Sequence, residues 1–410
     1  MKFQKITKSE YNSFVEAADR VFLNQRYDYG ELKQAGGTKV DYLGVKADDG
    51  KVIGIALVLY FRYKKFFYLA QCVHGPIFDY ENESLANFFF TSLLVYMRKQ
   101  PRVLRLSIAP PAPLRFYQDI TPISEADLRL PHILERLGYQ RLMQNWTQNP
   151  LAQPDILYTK DIAGLQEKDI LKSVSAACKY EMNKAAKNGI RVRYLAPDEV
   201  GLFKDMMDHT KERTGMTIQA YPSYIDDLLE YVPDATRFVL AYMDCDASLA
   251  QFSEQLTALE AEVASCDELL AANPNSKKAN NKKREAVDNI AILQKRIQTT
   301  EDLKAAHGNI VPMACSLFIL SGREAIYLLS GAYSEFAHFS PVYAIHRHML
   351  SEAVKREYLR YNFFAVSGDF TEKAIDYGVL KFKQSFQGNI EEMIGTYECV
   401  TSPLAKLLKA

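Results

Sequence analysis

Val40 to Val45 is rich in apolar residues, Ala47-Asp48-Asp49-Gly50 makes a turn, and Val52 to Phe61 is almost wholly apolar. This pattern predicts a β-hairpin, and Phe66 to Ala70 predicts a third strand beside it. From Ser84 to Lys99 the period changes. Leu85, Phe88, Phe89, Leu93, Leu94 and Met97 recur at helical spacing behind a serine suited to the N-cap. Val103 to Ile108 returns to strand. The same order of hairpin, strand, helix and strand recurs in Arg237 to Met243, Val311 to Leu320, the turn Ser321-Gly322-Arg323-Glu324, Ala325 to Leu329, a helix over Pro341 to Glu357, and Leu359 to Val366. Two copies of one α/β (α+β) unit, each with its own core, account for 410 residues better than one large sheet. The division expected is 1–155 and 156–400.

Where the first copy has its four-residue turn, the second holds an insertion over 245–307. Leu249, Phe252, Leu256, Leu259, Val263, Cys266 and Leu270 alternate three- and four-residue steps, and Ala286, Ile290, Leu293, Ile297 and Thr300 repeat them. Asn273-Pro274-Asn275-Ser276 breaks the pattern, and so short a break makes the two helices antiparallel. The insertion reads as a helical hairpin, either an arm with a coiled-coil seam or a packed helical subdomain.

Composition narrows the function classes. Lys+Arg and Asp+Glu number 50 each, which excludes an indiscriminate basic coat for nucleic acid and moves attention to local patches. The six cysteines, Cys72, Cys178, Cys245, Cys266, Cys315 and Cys399, form no C-x-x-C pair and read as reduced, buried thiols. Met1 to Tyr11 lacks the apolar core of a signal peptide, and no apolar run spans a bilayer. A cytoplasmic, soluble protein is expected, with contact at the membrane surface left open.

No G-x-S-x-G, H-E-x-x-H, Walker loop or helix-opening G-x-G-x-x-G is present. His346 and His348, two apart on a helix, face different ways and read as packing or surface residues, not metal ligands. Lys179, Lys184, Lys187 and Arg191, with Lys172 and Arg193, concentrate positive charge in one segment, which is either a solvated helix face or a seat for RNA phosphates. On a strand or extended loop, Gly378 to Phe386 places Lys381 and Lys383 on one face, with Phe382 on the other. A desolvated lysine there could hold a phosphate or stabilise an oxyanion, and the alternative is a basic edge strand that suppresses aggregation.

Several segments, in order, carry a resemblance over essentially the whole chain: Tyr29-Gly30-Glu31-Leu32-Lys33, Gly75-Pro76-Ile77-Phe78-Asp79-Tyr80, Lys184 to Tyr194, Gly331 through His338-Phe339, Phe364 to Glu372, and Val379-Leu380-Lys381-Phe382-Lys383. With these the chain resembles the FemABX aminoacyltransferases of the FemA, MurM and MurN type. The resemblance implies two GNAT-like domains with an antiparallel coiled-coil arm, similar to that of seryl-tRNA synthetases, inserted in the second. It also implies a reaction. An aminoacyl-tRNA gives a small residue (glycine, alanine or serine) to a stem-peptide amine of a lipid-linked peptidoglycan precursor, building the interpeptide bridge without a cofactor. A non-enzymatic alternative is an RNA- or protein-binding scaffold whose transferase site has decayed.

Carried over by position, the resemblance makes Lys33 a contact to precursor phosphates and Phe382 and Lys383 the pair at the acyl acceptor, with Lys383 on the developing oxyanion. Tyr327 and Tyr224 fall near tyrosines that line the precursor cavity, although each could equally be a core aromatic. Gln219 stands where relatives have arginine, His74 where they have Arg or Lys, and Ala109-Pro110 where they often have Asp-Pro. A carboxylate general base at Ala109 is therefore ruled out, and proton transfer through the tRNA ribose hydroxyl replaces it. Acetyl-CoA is not expected as a cofactor, because no Q/R-x-x-G-x-G/A loop offers a seat for its pyrophosphate.

Overall fold

The apolar runs become strands of two mixed sheets in the computed structural model, which describes residues 1–142, 152–214 and 225–408. In the first sheet Lys2–Lys5, Lys39–Lys46, Val52–Tyr63 and Phe67–Cys72 pair antiparallel in that order. Val103–Ile108 then lies parallel to Phe67–Cys72, because the Glu83–Arg98 helix carries the chain back across the sheet. The second sheet repeats the plan. Ile190–Tyr194, Thr236–Asp244, Ile310–Ser321 and Glu324–Ala332 pair antiparallel, and Arg360–Ala365 joins parallel to Glu324–Ala332 after the Pro341–Lys355 helix. The two units thus stand as a topological repeat.

At their junction the units exchange strands. Pro113–Gln118 pairs with Asn389–Met393 in the second sheet, while Tyr397–Val400 pairs with Val103–Ile108 in the first. The sheets therefore do not follow a division of the chain at residue 155. Apolar pattern locates a strand but does not say which neighbour it takes. Each unit has its own core, and a further apolar cluster joins Tyr11, Phe22 and Leu57 of the first to Phe203, Phe238 and Ile319 of the second. At its edge the nearly buried Arg20 donates to Glu324 (2.6 Å) and pairs with Glu391 (2.7 Å), tying the N-terminal segment to two strands of the second sheet.

The insertion forms two long helices, Cys245–Ala272 and Lys277–His307. Lys283–Asp267 (2.5 Å) near the turn and Lys304–Asp246 (2.5 Å) near the base show that they run antiparallel. Every seam position named above is buried or half-buried, and Ala279, Ala286, Leu293 and Thr300 are buried at intervals of seven. Two local expectations are corrected. Asn82, not Ser84, caps the Glu83–Arg98 helix, accepting from the Leu85 N–H (3.0 Å). Lys381 and Lys383 lie on a helix, Tyr377–Gln384, so they do not share a face: Leu380 and Lys383, three apart, are buried, and Lys381 is exposed.

Candidate active site

Between the two units lies a cavity of about 200 Å³, lined by Phe22, Leu23, Asn24 and His74 from the first and Ile319, Ile326, Leu328 and Phe364 from the second, with Gln153 and Pro154 from the connection. Buried Gln25, next in the chain to Asn24, ties the segments behind this lining together. Its amide donates to the Val73 carbonyl (2.8 Å) and accepts from the Leu57 N–H (2.9 Å), and it runs so close to Gly75 that a β-carbon there would lie 2.4 Å from it. Glycine is required at this close approach. His74 stacks on Phe22 (ring centroids 4.5 Å) and meets Asn24 through Nδ1 (2.9 Å), while its buried Nε2 has no partner among the described residues. Burial pulls its pKa down to about 4. Burial thus favours the uncharged imidazole at the position where the resemblance puts Arg or Lys.

Lys383 and Phe382 sit behind this cavity, on the other side of the Arg360–Ala365 strand. The Lys383 amine is buried and donates to the carbonyl of Ala365 (2.6 Å) and, at longer range, that of Phe364 (3.5 Å). Phe364 holds a left-handed backbone (φ +62°), stabilised by the Asn362 side chain accepting from its N–H (2.7 Å), so a cavity-lining residue is also the one whose carbonyl meets the lysine. Burial brings the Lys383 pKa down to about 7, against the pull of Asp376. Asp376 in turn accepts from the N–H and hydroxyl of Ser367 (both 2.6 Å), fixing the loop that follows the strand.

Phe382 and Tyr327 meet around His346, at centroid distances of 5.3 and 4.5 Å. Tyr327 therefore does not line the cavity. Along Glu324–Ala332 its neighbours Ile326 and Leu328 point into the cavity, and alternation sends Tyr327 to the opposite face. Burial pushes its hydroxyl up to about 12, with Ser316 and Ser330 as hydrogen-bond partners. His346 is fully buried; its Nδ1 meets the Tyr361 hydroxyl (2.8 Å), and burial plus the Lys383 charge takes its pKa to about 3. The packing role read for His346 is what the ring contacts display, with an Nε2 that has no partner among the described residues besides.

The basic segment is the helix Ala176–Lys187 and the edge strand Ile190–Tyr194. Its start adjoins the helix that carries Lys383, for the Ser175 N–H donates to the Ser385 carbonyl (2.9 Å). Lys179, Lys187 and Arg191 are exposed, Lys184 is half-buried beside Glu181 (3.4 Å), and Arg193 is engaged by Glu199. Lys33 ends the helix Tyr27–Ala35, its amine 5.2 Å from the Tyr29 ring centroid; burial lowers its pKa and the field of Asp227, from the second unit, opposes that. Gln219 and Tyr224 lie outside the described residues. Sequence reasoning missed Phe364 and the pairing of His346 with Tyr361. Strain at a phenylalanine leaves no mark in the pattern of apolar residues. A histidine on the apolar face of a predicted helix, seven residues before the end of its burial stripe at Ala353, was the available sign of the second.

The FemAB family model matches residues 6–410. The chain is 29% identical to Aminoacyltransferase FemA of Staphylococcus epidermidis over 400 residues, covering 97% of this chain and 95% of the relative. It is likewise 29% identical to Aminoacyltransferase FemA of Staphylococcus aureus, covering 97% and 94%. The crystal structure of FemX superposes with a TM-score of 0.86 at 22% identity over the whole of both chains, so the fold is shared. Matched by the family model over almost its whole length, the chain belongs to the FemAB family.

Proposed function

We propose that this FemAB-family aminoacyltransferase moves a small residue, glycine, alanine or serine, from aminoacyl-tRNA to a stem-peptide amine of a lipid-linked peptidoglycan precursor. The observation that carries the reading is Lys383: a buried ammonium that donates to the carbonyls of Ala365 and Phe364 and whose third N–H has no acceptor among the described residues, which this reading assigns to a developing oxyanion. The acceptor nitrogen attacks the ester carbonyl, a tetrahedral oxyanion forms, and its collapse breaks the bond to the ribose oxygen. Aminolysis of an ester is downhill, so alignment and charge stabilisation suffice and no enzyme nucleophile is needed. Ala109 and Pro110 supply no carboxylate, and the proton from the amine passes to the departing ribose oxygen through its neighbouring hydroxyl.

Lys179, Lys184, Lys187 and Arg191 take phosphates of the tRNA acceptor end, supported by the contact between their helix and the Lys383 helix. Lys33 and the cavity walls receive the precursor, with Tyr327 acting behind the wall through packing, not through contact with the precursor. Incubation with charged tRNA and lipid-linked precursor tests the reading: precursor mass rises by one amino-acid residue. Uncharged tRNA competes, and less effectively as salt increases. An unchanged precursor mass across all three charged tRNAs would sink the proposal.

A further inference from the structure

At the end of the first sheet remote from the cavity, three segments meet. They are the tip between Val52–Tyr63 and Phe67–Cys72, the turn from Glu83–Arg98 into Val103–Ile108, and the short helix Leu404–Leu408. The Tyr68 N–H donates to the Arg102 carbonyl (2.8 Å), and the Leu408 carbonyl accepts from the Tyr63 hydroxyl (3.1 Å) and the Lys64 amine (3.0 Å). Residues 60–72, 97–108 and 399–408 contain no Asp or Glu. They do contain Arg62, Lys64, Lys65, Arg98, Lys99, Arg102 and Lys406, and Lys39 lies alongside over the Tyr60 ring (4.2 Å). None of these eight cations is in an ion pair among the described residues; the adjacent Glu398 is taken by Arg105 (2.5 Å). Apolar side chains protrude from the same corner, with Phe66 58%, Leu407 78% and Leu404 41% exposed.

We infer that this corner docks on a bilayer surface rich in anionic lipid, the cations facing headgroups while Phe66 and Leu407 enter the interface. In a chain of zero net charge, a cluster of cations on segments that hold no Asp or Glu among their described residues, around projecting apolar groups, complements a negative, partly apolar surface. RNA is the poorer fit, since leucines offer no stacking face and their exposure gains nothing from phosphates. The inference rests on the proposed function for its purpose, holding the enzyme beside a lipid-linked acceptor, while the binding itself needs no substrate.

The test is co-sedimentation of the full chain with phosphatidylcholine vesicles, with and without phosphatidylglycerol, in the absence of precursor and tRNA. The protein binds only the anionic vesicles, and less as salt rises. K64E/K65E/K406E lowers the partition coefficient more than roughly 100-fold, each lost cation alone being worth about fivefold. F66S/L407S, at unchanged charge, lowers it about tenfold or more. Both variants melt like the parent and keep its turnover on a lipid-free acceptor peptide with charged tRNA. Equal binding to both vesicle types, or parental binding by either variant, overturns the docking. So does an F66S/L407S variant that binds vesicles undiminished while uncharged tRNA binds the parent and not the charge-reversed form, which would make the corner an RNA surface. Turnover without vesicle binding removes the docking alone; vesicle binding without turnover removes the transfer reading alone.

Discussion

In the proposed reaction Lys383 is the residue on which the chemistry turns, and its burial makes two pH effects readable. The folded protein releases this proton near pH 7, whereas an unfolded lysine holds it to about 10.4. Between those values the unfolded chain binds more protons, so stability rises with pH. Relative to Lys383→Met, the parent gains about 2 kcal/mol between pH 7 and 9, measured by urea unfolding at each pH. Catalysis runs the other way. Because the oxyanion needs the ammonium, kcat/KM shows a limb falling through about pH 7, and Lys383→Arg, cationic throughout, lacks that limb even where its rate is lower. The buried histidines have the opposite signature to a stabilising pair. With folded pKa values of about 4 for His74 and about 3 for His346, the unfolded chain takes up protons first, and stability is lost as pH falls below about 6.5. Replacing His346 with Gln shallows this acid limb in thermal melts.

Elements explain which residues could be read in advance. Gly331 lies in one of the segments that carry the family resemblance, and the structure gives its reason: a β-carbon there would stand 2.5 Å from the backbone of Met206 and Met207 in the Val200–Thr214 helix. Gly331→Ala must push that helix off the sheet, at a cost of about 1–3 kcal/mol by chemical denaturation. Strands with one apolar face and the heptad seam of the hairpin were legible because burial leaves a period in the sequence. The Lys383 helix was not, since two lysines two apart around a phenylalanine satisfy a strand as well as a short helix. Strand partners were not legible either: Tyr397–Val400 has the composition of any edge strand, and only the assembled sheet shows that it returns to the first unit. Of the candidate site, Lys383 and Phe382 were named through family position, while the strained Phe364 joining the lysine to the cavity needed coordinates.

At the scale of the molecule, the cavity exists because two units of one plan share a core and are clasped at its edge. Arg20→Met leaves Glu324, fully buried, and Glu391 without their main counter-charge, and costs about 3–5 kcal/mol of stability by denaturant unfolding. Loss of the clasp loosens the Phe22–Asn24 segment that lines the cavity, so under the proposed function precursor affinity falls with it. The shared cavity and the lysine behind it together make one claim: the enzyme aligns two substrates and stabilises charge as they react. Single-turnover rates with both substrates saturating test that claim most directly. Lys383→Ala is expected to slow amide formation about 10²- to 10³-fold while the precursor dissociation constant stays near the parent's. A variant that forms the amide at the parental rate, or one that loses precursor binding and rate in equal measure, would contradict it.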